Sequence, residues 1–244
     1  MTHRLHRAPP VSAIWAVALV TLAPACSRSH AESSPAETSP PPSPVAAAAP
    51  AAAAPDVEKT DKAELGKPAP DFTLNDIDGH PVHLADARAG GKTVVLEWFN
   101  PQCPFVNKSH IKGSLKDAPA KHIAEGVVWI GIDSAAPGKQ GYDPQTIREA
   151  QKRFGVSYPI LRDESGAVGR AYGATNTPHM FVIDKTGTLV YAGAIDNSPD
   201  AEGESPTDGK LVNYVDAALE ALKAGRPVKT PSTKAYGCGV KYSS

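Results

Sequence analysis

Cysteine is scarce in this chain: its 244 residues hold only Cys26, Cys103 and Cys238. Three cysteines exclude a disulfide-dense scaffold and any zinc site built from four of them. Neither sign of charge predominates, with Lys+Arg 25 against Asp+Glu 26. There is no long basic run, so no nucleic-acid footprint is supported. The apolar run from Val11 to Ala23 is too short for a comfortable transmembrane helix. No internal repeat is visible. What remains is a hydrophobic content of 41%, ordinary for a globular domain.

The first 25 residues read as a signal peptide. Arg4 and Arg7 supply the positive start, Val11 to Ala23 the apolar stretch, and Ala23-Pro24-Ala25 an A-x-A-like cleavage site. Cys26 follows at once. Leu22-Ala23-Pro24-Ala25-Cys26 resembles a bacterial lipoprotein signal, in which the cysteine becomes the lipidated first residue, although the preferred Leu lies one place too far upstream. Lipidation and simple secretion both stay open, and either exports the chain to the periplasmic side of a bacterial envelope. Residues 26–60 are the expected tether: 17 of the 25 residues from Ala31 to Pro55 are Ala or Pro. Such proline spacing forbids a long helix, and the side chains are too small to build a core. A tether behind a lipidated Cys26 would let a domain stand off a membrane.

Residues 61–244 carry the pattern of one α/β domain. Asp71–Leu74 and Pro81–Leu84 flank Asp78-Gly79, a hairpin signal. Thr93–Phe99 and Gly126–Asp133 read as buried strands, with a helix after Cys103 that ends or kinks near Pro119. A helix is expected over Pro144–Phe154, a short strand at Tyr158–Leu161 and a short helix at Gly166–Tyr172. Two strands, Met180–Asp184 and Leu189–Gly193, precede an amphipathic helix from Leu211 to Ala224 stopped by Gly225.

The most informative stretch is Phe99-Asn100-Pro101-Gln102-Cys103-Pro104-Phe105-Val106. It sets a cysteine between two prolines at the end of a strand and the start of a helix. Pro104 suits the first helical position, where a missing N–H costs nothing. Unpaired N–H groups and the helix dipole there favour a thiolate, the nucleophile of peroxide and disulfide chemistry. A buried, inert core cysteine is the alternative. Glu97 is the odd residue of its strand, because a carboxylate in a buried apolar run is costly unless paired or protonated. A lysine, Lys92 or Lys185, is one candidate partner. Cys238 lies between Gly237 and Gly239, in a tail mobile enough to reach a distant partner. In an oxidising compartment it could resolve Cys103, stay free, bridge two chains or anchor the tail.

The order of elements and five segments together resemble the redoxin group, the AhpC/TSA-type, peroxiredoxin-like members of the thioredoxin superfamily. The segments are Asn100–Val106, Ala136–Gly141, Gly169–Ala174, Thr177–Asp184 and Tyr236–Tyr242. The resemblance implies a thioredoxin-like fold, a central mixed sheet flanked by helices. It aligns Cys103 with the first cysteine of the Cys-x-x-Cys motif and puts Val106 at the second, so the local dithiol is absent. It makes Thr177-Pro178 the cis-proline loop that shapes the substrate groove beside Asn100 and Pro104. Glu97, six residues before Cys103, takes the place of the buried acid that relays protons beneath the active thiol.

The implied activity is that of an exported thiol oxidoreductase with antioxidant character. Cys103 would attack a peroxide or a disulfide, and Cys238 or an external thiol reductant would resolve it, with no organic cofactor or metal. Asn100 and Pro178 stand where typical peroxiredoxins carry the Thr and Arg that polarise peroxide, which argues against efficient peroxidase turnover. Arg170 either supplies that charge from a nearby turn or is a solvated helix residue, and both readings stay open. A different class of function is a non-catalytic protein that holds a peptide or a copper ion, the latter through Cys103, His110 and His179.

Overall fold

β3 (Val94–Trp98) is buried along its whole length. A strand with no polar face must be covered on both sides, and it sits near the middle of a seven-stranded sheet. The computed structural model describes residues 62–244, so the expected signal peptide, tether and Cys26 lie outside the described residues. The sheet order is β2-β1-β5-β4-β3-β7-β8. β1 (Thr73–Asp76) and β2 (Pro81–His83) form the hairpin around Gly79. β4 (Val128–Asp133) and β5 (Ile160–Arg162) run parallel to β3, while β7 (His179–Ile183) and β8 (Leu189–Gly193) return antiparallel. This is the expected α/β, thioredoxin-like arrangement, a mixed sheet with helices on both faces.

Strand alternation divides β3 between two cores. Val95 and Phe99 face a core closed by Val106, Ile147, Ala150 and Leu219. Val94, Leu96 and Trp98 face the other, closed by Leu84, Val168 and Tyr172. The helices that cover the first face are α2 (Pro104–Ile111), α4 (Pro144–Phe154) and α6 (Tyr214–Lys223). The opposite face takes α1 (Leu84–Ala87) and α5 (Ala167–Tyr172). α4 keeps its expected ends. The Asp143 carboxylate accepts the Gln145 N–H at its start, and Gly155 closes it at φ 66°, a left-handed conformation that glycine adopts without strain.

Three expectations need correction. The helix after Cys103 does not run to Pro119; it stops at Ile111, where a Cβ on Gly113 would collide with the Ala201 carbonyl. Pro119 instead lies in the first turn of a separate helix, α3 (Ala118–Ala124), where its missing N–H costs nothing. The last helix begins at Tyr214 and not at Leu211, because Asn213 caps it by accepting the Asp216 N–H. Finally, the glycine-flanked tail is not free to swing. Cys238–Gly239 form β9, paired antiparallel with β6 (Asn176–Thr177).

Candidate active site

The Phe99 N–H donates to the Ile132 carbonyl at the end of β3, and the chain then turns sharply through Asn100–Gln102. Cys103 caps α2 with extended backbone, φ −75° and ψ 123°, and Pro104 follows at the first helical position. The turn is braced by Asn100. Its Nδ2 donates to the Gln140 carbonyl at 2.8 Å and its Oδ1 accepts the Gln102 N–H at 2.9 Å. The Gln102 Oε1 accepts the Gly141 N–H at 2.9 Å, so two of the segments that carried the resemblance are tied together. Asn100 is buried and both ends of its amide are spent within these loops.

Cys103 is fully buried, and its thiol donates to the Thr177 carbonyl at 3.0 Å. The Thr177–Pro178 peptide bond is cis and lies beside Cys103. Thr177 also pairs with Cys238 in the β6–β9 ladder. The single residue Thr177 thus touches both cysteines, which are 135 positions apart in the chain (238 less 103). Both are free thiols. The Cys238 thiol faces that of Cys103, and its pKa is pushed up to about 11, first by burial and then by Cys103 itself; Lys241 and the Phe105 amide oppose the rise. A pair of facing thiols can close a disulfide, although the local Cys-x-x-Cys is missing.

On the same side of the sheet, Glu97 is fully buried on the face of β3 that carries Phe99 and the Cys103 helix. Neither Lys92 nor Lys185 pairs with it. His110 lies 2.8 Å from its Oε1, and the Trp129 indole (3.1 Å) and the Tyr158 hydroxyl (3.0 Å) both donate to its Oε2. Three partners, from α2, β4 and the segment just before β5, satisfy a carboxylate that would otherwise be prohibitive to bury. Burial and the adjacent Glu97 push the Tyr158 phenol well up. His110 stacks on Phe154 at 4.8 Å and 10°, and its Nδ1 has no hydrogen-bond partner among the described residues. Sequence reading offered His110 only as a copper ligand; its pairing with Glu97 is made by the fold.

The proposed copper ligands do not converge. His110 is engaged with Glu97, and the His179 Nδ1 accepts the Thr175 N–H at 3.3 Å. Among the described residues, the one group of side chains close enough to share a cation is Asp76, Asp78 and His80, on the exposed β1–β2 turn. Burial lowers the His179 pKa to about 4, so the ring stays neutral near pH 7. Arg170 is engaged with other groups: it lies 4.5 Å over the Tyr242 ring and donates to the Ser165 and Ser243 carbonyls. Tyr236, which sequence reading left without a role, donates to Asp196 Oδ1 at 2.6 Å and packs beside Phe105.

The pattern of the Redoxin family matches residues 64–211. A thiol-disulfide oxidoreductase ResA of Geobacillus thermodenitrificans is 32% identical over 139 residues, which cover 54% of this chain and 70% of that protein. A Mycobacterium tuberculosis protein that carries a peroxiredoxin name is 31% identical over 146 residues, 55% of this chain and 87% of that one. The crystal structure of an uncharacterised conserved protein from Geobacillus kaustophilus superposes with a TM-score of 0.64 at 30% identity, across 74% of this chain and 93% of its own.

Proposed function

This chain belongs to the Redoxin family and is a thiol oxidoreductase, and we propose that its substrate is a disulfide, attacked by Cys103 and resolved by Cys238. What carries the reading is the contact of both cysteines with Thr177: one thiol donates to its carbonyl, and the other lies across the strand pair from it. The Cys103 thiolate attacks one sulfur of a substrate disulfide. A mixed disulfide forms and the other substrate sulfur leaves as a thiol. The Cys238 thiolate then attacks the Cys103 sulfur and expels the second substrate thiol. The substrate has gained two electrons and two protons, and the protein holds a Cys103–Cys238 disulfide. An external dithiol reductant restores it by the reverse exchange. Glu97, linked to His110, is the group assigned to shuttle protons beneath Cys103. Thr177, Pro178, Asn100 and Pro104 shape the groove.

The order of attack is set by sulfur chemistry. A thiol whose pKa lies near 11 is a poor first nucleophile at neutral pH. It suffices for an intramolecular second step, where proximity replaces thiolate population. In the deciding experiment, the C238S variant is mixed with a small aromatic disulfide and digested for mass mapping. Accumulation of the mixed disulfide on Cys103, and its loss in C103S, is the expected result. No adduct on Cys103 would exclude the assignment.

Residues 1–25 as an export signal, 26–60 as a tether and 61–244 as the catalytic domain complete the proposal. In it, Cys26 carries the lipid that holds the domain on the periplasmic side of the membrane. Fractionation of cells that express the full chain or C26S tests it: the anchor predicts membrane association that the substitution abolishes.

A further inference from the structure

We infer that strand β9 and its flanks, Tyr236–Ser243, are a tethered pseudosubstrate: they occupy the groove in which an extended, cysteine-bearing peptide pairs with Asn176–Thr177, and they must leave before Cys103 can meet such a partner. The inference rests on the exchange reading above and adds the form of the substrate and a device that controls its entry.

Three observations carry it. First, Cys103 is fully buried, although a thiol that attacks substrates must be reached. Second, among the described residues β6 belongs to no larger sheet, and its one strand partner is β9. If the tail is removed, a short backbone edge is left unpaired next to a nucleophile, which is the arrangement that captures an extended peptide by strand addition. Third, the tail is held as a ligand is held, by a row of modest contacts outside the main sheet. Tyr236 is bonded to Asp196 at 2.6 Å. The Asn176 amide donates to the Gly237 carbonyl at 3.0 Å, and the Val240 N–H to the Thr175 carbonyl at 3.1 Å. The Tyr242 hydroxyl donates to the Ala174 carbonyl at 2.8 Å. Within Cys238–Lys241 the apolar side chains are only partly buried, Cys238 against the first core and Val240 against the second, so no fully buried anchor locks this stretch down.

The tail also states what the groove accepts. Gly237 has φ 113°, and a Cβ there would collide with the Thr177 carbonyl oxygen. Glycine is therefore required just before the cysteine. An aromatic residue two places before it packs beside Phe105. The groove selects an extended segment of the form aromatic-Gly-Cys, with its cysteine opposite Thr177.

The test uses the full chain and reads access to Cys103 without any redox step. In C238S, the rate of N-ethylmaleimide addition at Cys103 is followed by mass mapping. It is compared with C238S/G237V, which forces the tail off Thr177, and with C238S/Y242A, which loosens the other end. At least tenfold faster labelling in either loosened variant is expected. A synthetic peptide of residues 234–242 bearing the C238S change should restore protection, and a scrambled peptide should not. Equal rates in all three variants would overturn the tail as a cover. Faster labelling with no protection by the peptide would overturn the groove as a peptide site. Absence of any mixed disulfide from a small disulfide in the loosened variants would instead overturn the exchange reading and leave the access result standing.

Discussion

Cys238 lies across a two-residue strand pair from Thr177, whose carbonyl accepts the thiol of Cys103 at 3.0 Å. One backbone unit therefore sets the positions of two sulfurs that belong to opposite ends of the domain. The second thiol of a usual local dithiol is replaced at Val106 by an apolar core residue, and the tail brings the partner from outside. Separation in sequence means that this pair is set by the β6–β9 pairing and not by the turn of one helix.

That arrangement separates disulfide from peroxide chemistry. Asn100 is consumed by the loops it braces, and Pro178 offers no donor where peroxide would need one. Arg170 is committed to Tyr242 and Ser243. Stopped-flow oxidation of reduced protein by hydrogen peroxide should thus be far slower than the diffusion-limited range of about 10⁸ M⁻¹s⁻¹ and above, and C103S should remove what reaction there is. A small disulfide should react with less handicap, since exchange depends on thiolate character and access. A peroxide rate in the diffusion-limited range would reverse the ranking.

The Glu97–His110 pair makes a stability prediction. Removal of one partner leaves a buried charge with fewer donors, and H110A also opens a space beside Phe154. A loss of about 3 kcal/mol is expected in urea denaturation of H110A. E97Q keeps the shape and removes the charge, so it should lose less than half as much. E97Q should also slow disulfide exchange by Cys103, which a merely structural carboxylate would leave unmoved.

Asp133 makes a second, at the end of β4. Burial raises its pKa from 3.8 to about 7, against the opposing pull of the Ala135 N–H and Arg162. The folded state therefore holds this proton more tightly than the unfolded chain. Its contribution is complete below pH 3.8, falls as pH rises toward about 7, and is level above that. D133N retains an oxygen for the Ala135 N–H and cannot ionise. Relative to the parent, it should gain stability of about 1–3 kcal/mol between pH 4 and pH 8. A difference between the two proteins that does not change with pH would contradict this.

His179 has the opposite sign. Burial lowers its pKa from 6.5 to about 4, so the folded state resists the proton that the unfolded chain accepts. Its contribution is present above pH 6.5 and is lost as pH falls toward 4. Carbon-13 NMR of the ring should show it neutral at pH 5.5. A ring already charged at that pH would contradict the burial of His179 beside the cis-proline loop.

Much of this protein is legible in local residue patterns. The β-branched run of β3, the Asp78-Gly79 turn and the proline-started, glycine-ended α4 each owe their form to chemistry within a few residues, and each occurs where the pattern puts it. The position of Cys103 at a helix start is equally local, since Pro104 decides it. The same local logic misplaces Pro119, because proline can open a helix as readily as end one.

What only the tertiary structure decided lies in pairings between distant segments. Glu97 was visible as a buried acid, but its partners come from α2, β4 and the segment just before β5, and a lysine guessed from charge alone was the wrong kind of partner. Gly237-Cys238-Gly239 read locally as freedom, since glycine widens the allowed backbone. In the fold, the same glycine permits the close approach to Thr177 that fixes the tail. Composition can say that a backbone is able to bend. Whether it moves depends on which hydrogen-bonding edge waits beside it, and that is a property of the assembled sheet and loops.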